Sequence, residues 1–116
     1  HIAVTKAVIK LYDAGKIHTP KIYYFGLPQE VVAFFDHEGG LGIEKRAIID
    51  IKNFYETKIN AMKAHVSQEK DWKKIIERLE RARKIYKNFP NQEHFQLART
   101  TLSNLKFPES DLLAGL

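Results

Sequence analysis

The sequence predicts an α/β protein built in layers, and three observations carry that prediction. Apolar residues recur at the helical period from the first positions onward. Two short runs rich in β-branched and aromatic residues read as strands, and the second half is dominated by amphipathic segments. A helix, a short loop and then a nearly all-apolar strand is the rhythm of a layered α/β fold. The 116 residues are one domain or part of one, enough to enclose a single core.

In chain order, Ile2 to about Asp13 reads as a helix with Val4, Ala7, Val8 and Leu11 on one face. Ala14-Gly15 stops it, and Thr19-Pro20 confirms the break. Lys21–Phe25 is the first strand, closed by Gly26 and Pro28. Gln29–Phe35, with Val31, Val32, Phe34 and Phe35, fits a helical turn better than a strand. Asp36-His37-Glu38-Gly39-Gly40-Leu41-Gly42 reads as a mobile loop, because glycine tolerates positive φ and loses the most backbone entropy on ordering. Ala47–Ile51 is the second strand, beginning a little earlier.

Asn53 suits an N-cap, with Glu56 three residues on completing a capping box for a helix from about Phe54 to Val66. Ser67-Gln68-Glu69 is a candidate interruption. Asp71 then caps a helix burying Trp72, Ile75, Ile76, Leu79, Ala82 and Ile85-Tyr86, which Asn88-Phe89-Pro90-Asn91 ends. Gln92 to Leu102 reads as a final helix carrying Phe95, Leu97, Ala98 and Leu102. That makes two short strands and four to five helices.

Hydrophobic residues make up 44% and charged residues 28%, a balance typical of soluble globular chains. No apolar run approaches the roughly 20 residues that span a bilayer. With no cysteine, disulfides and thiolate metal sites are excluded, so any metal would fall to His, Asp and Glu. The net charge of +5 and pI near 9.4 admit nucleic acid or another acidic partner. Much of that charge lies between Lys63 and Lys87, interleaved with Glu69, Asp71, Glu77 and Glu80, as on a solvated helix face.

Of the histidines, His18 and His94 read as surface residues, and His37 sits in a short acidic loop cluster that is a weak ligand signal. His65 lies in a richer context. On a helix, Tyr55, Ile59, Met62 and Val66 form an apolar stripe, and Lys58, Ala61, His65 and Gln68 a polar one beside it. A buried, hydrogen-bonded histidine fits that place as well as a catalytic one. No phosphate-binding glycine loop, His-Glu-x-x-His or nucleophile-elbow pattern is present.

Four segments resemble, in order, the C-terminal half of the LmbE-like or PIG-L family of zinc-dependent N-acetylglucosaminyl deacetylases. His1-Ile2-Ala3-Val4 looks like the end of the family's His-Pro-Asp-His motif and the helix that follows. Lys21-Ile22-Tyr23-Tyr24 resembles the next strand. Lys58-x-x-Ala61-x-x-x-His65-x-Ser67-Gln68 matches a family pattern at every named position. Glu93-x-Phe95-x-Leu97-Ala98 and Glu109–Leu116 are similar to closing segments of bacterial members.

The resemblance implies a Rossmann-like three-layer fold and hydrolysis of an N-acyl group on a glucosamine-type sugar or conjugate. It implies Zn2+ held by a His and an Asp of an N-terminal Ala-His-Pro-Asp-Asp motif together with His1. Three protein ligands leave the position for water that catalytic zinc requires. Two of those ligands, the general base and the first His of His-Pro-Asp-His are not in this sequence. The expectation is therefore a single partial domain over residues 1–116, inactive alone, with the whole protein the enzyme. His65, Gln68 and Lys58 are expected to border the site. The loop carrying Asp36 and His37 reads equally as a lid over the sugar and as an ordinary connection. The expected partner is a small N-acetylated amino sugar, with no nucleic acid and no membrane, in the cytoplasm, and with homo-oligomerisation open. The rival reading is a non-catalytic basic helical module for nucleic acid or an acidic partner.

Overall fold

The computed structural model describes residues 2–35 and 39–116. Among them are three α-helices, α1 (Ile2–Asp13), α2 (Tyr55–Lys63) and α3 (Glu69–Ile85), and three strands, β1 (Lys21–Phe25), β2 (Arg46–Asp50) and β3 (Gln92–Thr100). Short 3-10 turns at Val32–Phe35, Lys52–Phe54 and Val66–Gln68 join them. The class is mixed α/β, but the expected two strands and four to five helices become three and three. The sheet has the order β1-β3-β2, and both pairings are antiparallel.

The main correction concerns Gln92–Leu102, which forms the central strand rather than a helix. Residues such as Glu, Gln, Leu, Ala and Arg favour helices only weakly, and tertiary pairing overrides that preference. As the central strand, β3 satisfies its backbone on both sides, with Phe95 in register with Phe25 of β1 and Ala47 of β2. Phe95 also packs its ring against Tyr23 and Phe25, at centroid distances of 6.3 and 5.6 Å.

The two later helices pack on each other and on the Val32–Phe35 turn through a small core. Phe35, Tyr55, Ile59 and Leu79 are buried together, with Leu27, Met62, Ile76 and Phe89 packed around them. Tyr55 donates its hydroxyl hydrogen bond to Glu80 at 2.9 Å, and the Arg83 guanidinium lies 4.6 Å from its ring centre. Burial first, and then the Glu80 carboxylate, push the Tyr55 pKa up to about 12. On α3, Leu79 and Ala82 are buried and Trp72, Ile76 and Tyr86 partly so, whereas Ile75 and Ile85 lie outside the expected buried face, 41% and 63% exposed.

Two helix boundaries also differ from expectation. Asn53 falls inside the Lys52–Phe54 turn, so its backbone is already helical and the capping box with Glu56 does not form. Phe54 takes the N-cap position without a side-chain cap, and the Asp50 carboxylate instead accepts the Lys52 N–H at 2.9 Å. The second helix stops at Lys63 rather than Val66, and His65, at ψ 72°, turns the chain toward α3. Asp71 is not a cap either; it lies with Glu69 in the first turn of α3, where acidic side chains favour the helix dipole.

Two fastenings hold the periphery. Arg46, 4% exposed, donates to Glu30 at 2.6 and 3.2 Å, to the Leu41 carbonyl at 2.8 Å and to the Gly42 carbonyl. It thereby ties the described end of the expected mobile loop to the sheet, where Leu41 also exchanges backbone bonds with Leu27 and Gln29. At the other end of the chain, Glu109 bonds through its backbone to Arg46 and Ile48 along β2. Its carboxylate accepts from Lys21 at 2.6 Å and from the Tyr23 hydroxyl, both on β1. The first helix is held more loosely. No residue of α1 is buried; Ile2, Val4 and Leu11 are 75%, 66% and 47% exposed, and an Asp13–Arg99 ion pair at 2.8 Å joins α1 to β3.

Candidate functional site

A cavity of about 260 Å3 opens where the start of β3, the end of β1 and the two later helices converge. The sequence builds its walls by simple spacing. Lys58 and Met62 stand one turn apart on α2, and Ile75 and Leu79 one turn apart on α3, so each pair shares a face. Phe25, Leu27, Phe35 and Phe89 complete a mostly apolar lining, with Glu93 at its polar end. The Lys58 ammonium meets the Glu93 carboxylate at 2.5 Å, with side chains 34% and 24% exposed. The pair is therefore half-screened by water, and its chemistry is to hold two opposite charges at the edge of an apolar space.

His94 is the next residue on β3 and also lines the cavity. There it is 7% exposed, and neither ring nitrogen has a hydrogen-bond partner among the described residues. Burial, and then the nearby Arg46 charge, lower its pKa, while Glu30 and Glu93 act in the other direction. The ring is thus held neutral above the Arg46–Glu30 pair. The reading of His94 as a surface residue is corrected: it followed from placing Gln92–Leu102 in an exposed helix.

Among the residues weighed in the sequence, Lys58 and His94 line the cavity. His65 and Gln68 are exposed on the turn between α2 and α3, and neither is part of the cavity wall. The polar stripe Lys58, Ala61, His65 and Gln68 does not run along one helix, because α2 ends before His65. His1, Asp36 and His37 lie outside the described residues. Sequence reasoning did not single out Glu93 as the partner of Lys58. Alternation of Glu93, Phe95 and Leu97 was the one signal that could have placed it on a strand face.

Among the described residues, no group of three His, Asp or Glu side chains is placed to hold a metal ion. The described part of this chain does not by itself fit a zinc centre, and such a centre would need ligands from elsewhere. No helix of the described residues is long and apolar enough to cross a membrane. In comparisons with known proteins, no family model, no curated protein and no solved structure matches the chain.

Proposed function

We propose that this chain is the C-terminal portion of a zinc-dependent amidase of the LmbE-like type, whose whole protein hydrolyses an N-acyl group on a glucosamine-type sugar or conjugate. One observation carries the reading: the Lys58-x-x-Ala61-x-x-x-His65-x-Ser67-Gln68 pattern, similar to the family's at every named position. The fold leaves His65 and Gln68 on an exposed turn, within reach of a further layer of the protein. The uncovered apolar side chains of α1 and the outer edge of β1, which pairs only with β3 among the described residues, agree with such a layer. Antiparallel strands at the edge of an otherwise parallel sheet are common in large α/β folds, so a Rossmann-like whole is compatible with this sheet.

In this reading His1 contributes one zinc ligand and the other two come from outside the chain. Bound zinc would polarise the amide carbonyl and lower the pKa of its water. The 116 residues supply no general base for that step and are inactive alone. The test compares the whole protein with this chain for acetate release from N-acetylglucosamine and its conjugates, before and after chelation and zinc return. Activity in the whole protein that chelation abolishes and zinc restores is the expected result. Chelator-insensitive activity, no release from any such substrate, or turnover by the isolated chain would each overturn the proposal.

A further inference from the structure

The Lys58–Glu93 cavity has a chemistry of its own, and it does not depend on the amidase reading. Its body is lined by Phe25, Phe35, Met62, Leu79 and Phe89, and its single charged feature is the ion pair. An ammonium carries three donors, and Lys58 spends one of them on Glu93 Oε1. The other carboxylate oxygen of Glu93 takes no side-chain or backbone hydrogen bond among the described residues. Two residual donors on one partner and an open acceptor on the other thus belong to residues that line the same apolar space.

A ligand carboxylate would compete with Glu93 for Lys58 and be repelled by Glu93, and a ligand amine would do the reverse. A neutral amide meets both groups at once: its carbonyl accepts from Lys58 and its N–H donates to Glu93, leaving the pair intact. The space beyond suits an aromatic ring. An apolar cavity of about 150 Å3 already admits benzene, and this one of about 260 Å3 leaves room for a short arm. We propose that this cavity binds a small neutral amide with an aromatic body, the amide bridging Lys58 and Glu93.

The test titrates the intact chain with phenylacetamide, phenylacetate, 2-phenylethylamine and toluene, following amide resonances by NMR. Saturable shifts at Met62, Ile75 and Gln92–His94 are expected with phenylacetamide, roughly threefold to tenfold tighter than with the other three, the worth of a hydrogen bond or two. No saturable shift, or equal affinity for all four compounds, overturns the proposal. Two variants sharpen it, both at partly exposed positions that a stable fold tolerates. Ile75→Trp should fill the space and abolish binding, and Lys58→Met should level the affinities of phenylacetamide and toluene. Undiminished binding by folded Ile75→Trp, or an undiminished amide preference in Lys58→Met, would also overturn it.

Discussion

Replacing Glu109 with alanine should remove a large share of the stability of this chain. The side chains of Glu109 and Lys21 are 2% and 4% exposed, so the charges meet largely out of water. Burial opposes the Lys21 charge, but hydrogen bonds to Glu109 and Tyr23 outweigh it and hold its pKa above the ordinary value. Without the carboxylate, Lys21 keeps the Leu112 carbonyl at 3.4 Å and its contact with Tyr23, and the Tyr23 hydroxyl loses its acceptor. Breaking a buried pair from one side costs about 3–5 kcal/mol. The flexible lysine stem can swing its charge toward water, which places the expectation near 3 kcal/mol. Total stabilities of small domains are about 5–15 kcal/mol, so the loss is a substantial fraction.

Urea denaturation followed by circular dichroism measures it, since urea leaves ionic strength unchanged. The cost should also depend little on added salt, because buried pairs are poorly screened. Lys21→Met combined with Glu109→Leu should recover most of the loss, as apolar replacement of a buried pair is often neutral or better. The reasoning fails if Glu109→Ala costs less than about 1 kcal/mol, or if the double variant is as unstable as the two single losses added together.

Two further outcomes follow from the fold. The neutral His94 ring, beside Arg46, Glu30 and Glu93, has a pKa below its ordinary 6.5. Below that pH the unfolded chain binds the extra proton, so stability should fall as pH drops from about 7.5 to 5; a His94→Leu variant with the same urea-midpoint slope over that range would exclude this origin. Gly40 has φ +105°, and a Cβ there would lie 2.8 Å from the Gln29 Cα, whereas Gly39 at φ +86° meets nothing within 4 Å. Gly40→Ala should therefore cost more than about 1 kcal/mol and clearly more than Gly39→Ala; equal denaturation midpoints for the two would contradict the close approach.

The elements that the sequence announces are those whose local signals and tertiary setting agree. Residues Ile2–Asp13 and Lys21–Phe25 form where their periodicity and punctuation place them, and the second strand begins one residue before Ala47, as anticipated. Gln92–Thr100 goes the other way because a central strand is chosen by its two neighbours, which sit more than 40 residues upstream and leave no mark in a local window. The same cause hid the cavity. Lys58 belongs to a polar stripe in the sequence, but its partner Glu93 becomes visible only once that segment is extended. Nothing in Ala64-His65-Val66 is a strong breaker, so the sequence extends that helix through His65, whereas α2 ends at Lys63 and His65 takes a non-helical ψ of 72°.

The sheet's connectivity has a consequence for how the chain acquires its structure. Lys21 pairs with Thr100, Arg46 with Gln96, and Ala47 with Glu109, so among the described residues the strand pairings of β1 and β2 wait for residues beyond position 91. Closing such long loops before any reward is gained slows folding. On the ribosome, where synthesis proceeds at about 5–20 residues per second, the first two strands emerge seconds before their shared partner. Throughout that interval Lys21–Phe25, with Tyr24 and Phe25 apolar and its edge open, is the segment most exposed to pairing with the wrong chain.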